Sequence, residues 1–112
     1  MRILIDECLP ARLRGEIIGH DVRTVRQMSW LGAKNGKLLK LISDSSEFDV
    51  FLTMDKNLPL QQEITNLPFA IIILRAKSNR FEDTQPLISE VIRLLPKARR
   101  GHAAVVGSIQ PR

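Results

Sequence analysis

Cysteine is nearly absent from this chain, tyrosine is wholly absent, and aromatic residues make up only 4% of its 112 positions. A single cysteine, Cys8, cannot close an internal disulfide, so packing must hold the fold, and a reducing, cytoplasmic setting is the expectation. With two histidines, His20 and His102, and no HxxxH or CxxC spacing, zinc is not expected. The longest apolar run, Phe69 to Leu74, falls far short of the roughly 18 residues of a membrane-spanning helix, so no membrane association is expected. The N-terminus reaches Asp6 and Glu7 before the ~7–15 apolar residues of a signal peptide can form, and the mature chain is expected to begin at Met1. No repeat, low-complexity tract or linker interrupts residues 1–112, which read as one domain.

What is present is 44% apolar residues, enough for a core, and a surplus of 17 Lys and Arg over 12 Asp and Glu, a formal charge of +5. That balance points to a polyanionic partner, because such a domain binds phosphate backbones by releasing their counterions.

Apolar patterning divides the chain into alternating elements. Ile3-Leu4-Ile5 reads as a strand, Leu9, Leu13 and Ile17 as a helix entered at Pro10 and stopped at Gly19, and 22–25 as a second strand. Residues 26–34 lack periodicity and read as a loop of functional length. Asn35 can cap a helix carrying Leu38, Leu39, Leu41 and Ile42. A third strand spans 49–54, a short helical turn follows from Leu58 to Ile64, and Phe69 to Leu74 is a fourth strand whose continuous apolar run predicts burial on both faces. After a basic loop over 75–82, Asp83 or Thr84 can cap a helix with Pro86 in its first turn and Pro96 as its stop; 103–106 is the last strand. Strands alternating with helices predict a three-layer α/β/α sandwich around a mostly parallel sheet of about five strands.

Asp6 and Asp55 each follow the last apolar residues of a predicted strand, and open α/β sheets bind ligands outside those carboxyl ends. Neighbouring strands lie about 4.8 Å apart, so the two carboxylates can reach one cation. Hard oxygen donors without companion histidines suit Mg2+ or Mn2+, which take one or two carboxylates plus substrate phosphate oxygens. In a basic protein this suggests phosphodiester hydrolysis, with Glu7 as a third ligand or as the group orienting the attacking water. The bland alternative is that strand-end carboxylates cap the next helix.

Met1 to Pro10, Gly19-His20-Asp21-Val22, Gly32-x-x-Asn35-x-x-Leu38-Leu39, Thr53-x-Asp55-x-Asn57-Leu58 and Leu74-Arg75 resemble, over nearly the whole chain, the small PIN-like proteins of the DUF5615 type, related to the Mut7-C ribonuclease domain. The resemblance implies a Mg2+- or Mn2+-dependent ribonuclease, with RNA as substrate, cytoplasmic, and related to toxins of the VapC kind that a small antitoxin protein neutralises. It also implies a possible homodimer. Asp6, Glu7 and Asp55 match the family's acidic positions as catalytic residues. Asn35 and Asn57 stand where the family often has acids; their amide oxygens can still join Asp6 and Asp55 around a metal, with two negative charges fewer. An alternative is therefore a weakened or inactive PIN-like module that binds RNA or a protein partner. A rival from another class is the receiver-type phosphoacceptor domain, which shares the acidic pattern but requires a lysine ending its fifth strand; Ala103 to Ser108 contains none.

Arg75 and Lys77 follow the fourth strand, where they can hold a scissile phosphate or form ion pairs with the aspartates. Arg12 and Arg14 are nucleic-acid contact candidates, as are Arg23, Arg26, Lys97, Arg99 and Arg100, although charge runs are usually solvated faces. Trp30 either stacks on a base or packs as an anchor. Thr53 either orients a carboxylate or is an ordinary strand residue, and Cys8, without a companion histidine, reads as an inert thiol.

Overall fold

The computed structural model describes residues 1–107; Ser108, the last residue of the lysine-free stretch from Ala103, lies outside the described residues with the positions after it. Strands β1 (Arg2–Ile5), β2 (Asp21–Thr24), β3 (Val50–Thr53), β4 (Ala70–Leu74) and β5 (Ala103–Val106) form one sheet in the order β2-β1-β3-β4-β5. Every pairing is parallel. Parallel strands buried on both faces need apolar residues at every position, and all five residues of β4 are buried.

Strand alternation sorts the core into two layers. Ile3, Ile5, Leu52, Ile72 and Leu74 face one side, where Leu13, Ile88, Val91 and Leu95 cover them. Leu4, Phe51, Ile71 and Ile73 face the other, covered from α1 (Asn35–Ser45) by Leu38, Leu39 and Ile42 and from α2 (Leu58–Gln61) by Leu58. The architecture is a three-layer α/β/α sandwich. Among the described residues, no helix is long and apolar enough to cross a membrane.

Three local elements differ from the sequence expectation. The segment after β1 is a 3-10 helix over Ala11–Glu16 rather than an α-helix. Pro10 supplies its first carbonyl to Leu13 (3.1 Å), and Gly15 weakens helical propagation, so a tight i to i+3 turn suffices to bury Leu13. Asn35 does not cap α1: the cap position belongs to Lys34, no side chain bonds there, and Asn35 itself is left-handed at φ 46°. Asparagine tolerates that backbone better than most residues, which gives its identity a conformational reason.

The helix after the basic loop starts at Phe81, ahead of the expected cap. The Thr84 hydroxyl donates backward to the Arg80 carbonyl (3.0 Å) instead of capping. Pro86 divides the segment into α3 (Phe81–Thr84) and α4 (Ile88–Leu94) with a 3-10 turn between, and Pro96 lies inside a closing 3-10 turn, Leu95–Lys97.

The connections do not share one hand. The link from β1 to β2 runs one way across the sheet over the first face, and those from β2 to β3 and β3 to β4 run the other way over the second face, so these three have the same hand. The link from β4 to β5 continues in that second direction but places α4 on the first face, which reverses its hand. Reversal is unusual, since parallel crossovers are right-handed in about 98% of cases. It leaves the second face of β5 without a helix: Ala103 is exposed and Val105 is 52% exposed.

Candidate functional site

From β1 the chain turns to β2, and from β2 it returns past β1 to β3, so the crevice between the carboxyl ends of β1 and β3 is the switch point of the sheet. Helices leave the two strands in different directions there and cannot close the gap. A cavity of about 330 Å³ occupies this position, between the end of β1, the end of β3, the start of α1 and the start of α2.

Asp6, Glu7, Asn35 and Asp55 all line it. Asp6 and Asp55 arrive from strands that pair directly, Ile5 lying opposite Leu52. Thr53 joins them. Its side chain is fully buried, and its hydroxyl donates to Asp6 Oδ2 (2.7 Å) while accepting the Asp55 backbone N–H (3.1 Å). A buried hydroxyl needs partners, and here it has found both at the ends of the two strands.

Other donors fix the acids further. The Glu7 N–H donates to Asp6 Oδ1 (2.8 Å), and the Cys8 thiol approaches Oδ2 at 3.5 Å. Asp55 Oδ1 accepts the Asn57 N–H (3.0 Å), a turn-forming bond. Burial, with the nearby Asp6 charge adding to it, pushes the Cys8 thiol up to about 11. Cys8 is therefore a protonated donor to Asp6 near neutral pH and not a thiolate ligand.

Glu7 is exposed and turned toward the loop after β2, where its Oε1 accepts the Gly32 N–H (3.3 Å). That loop is shaped by a reciprocal pair: the Thr24 N–H donates to Gln27 Oε1 (2.9 Å) and the Gln27 N–H to Thr24 Oγ1 (3.1 Å). Left-handed Ser29, Gly32 and Asn35 then carry the chain to α1.

The remaining expected residues are dispersed. Asn57 is exposed at the start of α2 and does not line the cavity. Arg75 and Lys77 are exposed in the loop after β4, and among the described residues neither pairs with an aspartate. This loop reaches the site through Asn79, whose amide donates to the Cys8 carbonyl (3.2 Å). Arg12 stacks over the Phe81 ring, 4.0 Å from its centroid, beside the same loop. Arg14 turns away, its Nε donating to the Val22 carbonyl in the amino-terminal half of β2. Trp30 is a packing anchor: its ring meets Phe48 edge-on at 6.3 Å between centroids.

The donor set suits a hard divalent cation of the magnesium type, which needs only one or two carboxylates and keeps its waters. Among the described residues, no three His, Cys, Asp or Glu side chains gather into a metal-binding group. A cation held by Asp6 and Asp55 would complete its shell with amide, water or substrate oxygens. Leu38, Leu39, Phe51 and Leu58, the buried apolar residues of the lining, gave no sequence signal, because their spacing is that of ordinary core residues; exposed Lys34 and half-buried Ala33 and Met54 line the cavity with them. No protein-family model, curated protein or solved structure matches the chain.

Proposed function

We propose that this protein is a PIN-like, Mg2+- or Mn2+-dependent ribonuclease acting in the cytoplasm, as its resemblance to the DUF5615 type implies. The observation that carries the reading is the convergence of Asp6 and Asp55 on one cavity at the switch point, tied through a buried Thr53 hydroxyl. An Asp6 carboxylate held by a buried hydroxyl, with a second strand-end carboxylate lining the same cavity, is more than helix caps require.

Asp6 and Asp55 are the residues that would hold the cation. When bound, it supplies charge neutralisation at the phosphate and a more acidic water. Thr53 keeps Asp6 in one orientation, and the Glu7 and Asn57 N–H groups fix the other carboxylate oxygens. Glu7 stands at the mouth, where its carboxylate can orient a water once its long bond to Gly32 gives way. Arg75, Lys77 and Arg12, on the flank formed by the loop after β4, attract the RNA backbone. An antitoxin-like partner would act by covering the same mouth.

The strand order is also that of receiver domains. That reading is not favoured: no lysine occurs from Ala103 to Gly107, where the receiver type requires one at the end of its fifth strand. The test is cleavage of a mixed single-stranded RNA panel while Mg2+ and Mn2+ are titrated, with Asp6→Asn and Asp55→Asn as controls. Metal-dependent cleavage lost in both variants supports the proposal. Salt-sensitive RNA binding without any cleavage points instead to the binding module.

A further inference from the structure

The cavity has a second property that a hydrated cation does not use. Its lining carries Asp6, Glu7 and Asp55 with exposed Lys34 among its charged groups, while Leu38, Leu39, Phe51 and Leu58, each no more than 5% exposed, give it an apolar floor beside the Thr53 hydroxyl. An ion that keeps its waters gains nothing from such a floor. At about 330 Å³ the space lies at the small end of ligand pockets, suited to one compact apolar group.

We propose that this cavity receives one unstacked nucleobase of a single-stranded RNA, with the adjoining sugar-phosphate lying across the acidic mouth. The inference rests on the ribonuclease reading and names its substrate class and subsite. A nucleobase presents apolar faces to the leucines and Phe51 and polar edges toward the opening, which matches the division of the pocket. At that opening, exposed Asn35 offers an acceptor oxygen and two N–H donors. Extracting a base from a duplex costs a few kcal/mol and from a single strand much less, so the pocket selects unpaired RNA. The chain's charge of +5, with Lys34 in the lining itself, draws the backbone in, while the three carboxylates outnumber that one lysine and disfavour a phosphate unless a metal cation offsets them. Base and metal sites would thus cooperate in setting which phosphate is presented.

The experiment compares a short single-stranded RNA with the same strand made abasic at successive positions, measuring affinity and cleavage in Mn2+. Burying one base on apolar and aromatic side chains is worth about tenfold in affinity. One abasic position should therefore bind about tenfold more weakly, and cleavage should fall at the phosphate beside it. Ala33, half-buried in the loop after β2, also lines the cavity, and Ala33→Phe, which adds bulk there, should abolish the difference between intact and abasic strands, with its melting curve reporting the fold. Equal affinity and equal cleavage of intact and abasic strands by the unaltered protein would overturn the base subsite and leave the ribonuclease reading standing. Failure of both strands to bind or be cut would overturn both.

Discussion

Replacing Thr53 with valine removes one oxygen and keeps the side-chain shape. The hydroxyl donates to Asp6 Oδ2 at 2.7 Å and accepts the Asp55 N–H at 3.1 Å, so two partners lose it together. A hydrogen bond to a charged group contributes about 1.5–3 kcal/mol, and a neutral one about 1 kcal/mol. Asp6 and Asp55 are both only half-buried, so water recovers part of the loss, leaving a destabilisation of about 2 kcal/mol. At roughly 4 °C per kcal/mol for a chain of this size, Tm should fall by about 8 °C. Freed from its donor, Asp6 should also hold a cation less well. Groups that orient a metal ligand typically matter 10–100-fold in metal affinity or activity, so Mn2+ binding and RNA cleavage should weaken by about that factor. Thermal melts and Mn2+ titrations followed by electron paramagnetic resonance measure the two effects, and Thr53→Ser, which keeps the hydroxyl, should restore the second. A Thr53→Val protein with unchanged Tm and unchanged Mn2+ affinity would refute the argument that this hydroxyl builds the site.

Other expectations separate the features of the site. The Cys8 thiol should resist alkylation near neutral pH and titrate with a midpoint near 11; Asp6→Asn should lower that midpoint, because the Asp6 charge helps to raise it. Since the folded-state value lies above the unfolded value of 9.0, the folded protein holds the proton more tightly, so this contribution to stability is complete below pH 9 and is lost as pH rises toward about 11; alkaline melts measure it. Asn35→Asp, inside the cavity, should tighten Mn2+ binding, whereas Asn57→Asp, outside it, should change little; equal effects would contradict the placement of Asn57. Gly101→Ala should destabilise far more than Gly19→Ala, although both are left-handed at φ +75° and +90°. The Gly19 change meets open space and costs about 1–2 kcal/mol of backbone strain, while a methyl at Gly101 also strikes the Thr65 carbonyl, a difference that denaturant midpoints would show.

The strands were legible because burial on both faces writes itself as uninterrupted apolar residues: Phe69 to Leu74 predicts β4 with one residue to spare at its start. Asp6 and Asp55 were legible for a related reason, each being the first charged residue after such a run. What local pattern could not specify was the partner geometry. Thr53 looks like any β-branched strand residue until β1 is laid beside β3, because its role depends on a residue 47 positions away. Asn35 looked like a cap because caps and left-handed positions draw on the same short polar side chains. The reversed last crossover was equally hidden, since the apolar stripe Ile88, Val91, Leu95 reads the same whichever face it covers.

The arrangement around Thr53 also bears on whether these polar residues serve stability or chemistry. Removing one member leaves a partner unsatisfied, so single substitutions destabilise whatever the purpose of the group. The informative comparison is the double variant Asp6→Leu with Thr53→Val, which removes the carboxylate and the hydroxyl together and fills their places with apolar groups. The neighbouring side chains, Leu52 and Phe51 on β3 and Ile5 on β1, are fully or nearly fully buried and would accept such a patch. If the pair is there to hold the fold, the double variant should be less stable than the unaltered protein by about 1.5–3 kcal/mol, the contribution of a hydrogen bond to a charged group. If it is there to present a carboxylate at the switch point, the double variant should be at least as stable as the unaltered protein, even though each single variant is destabilised by the partner it strands. We expect the second outcome, because strand ends packed with apolar residues are the cheaper solution and an oriented, half-buried anion is the one a binding site requires.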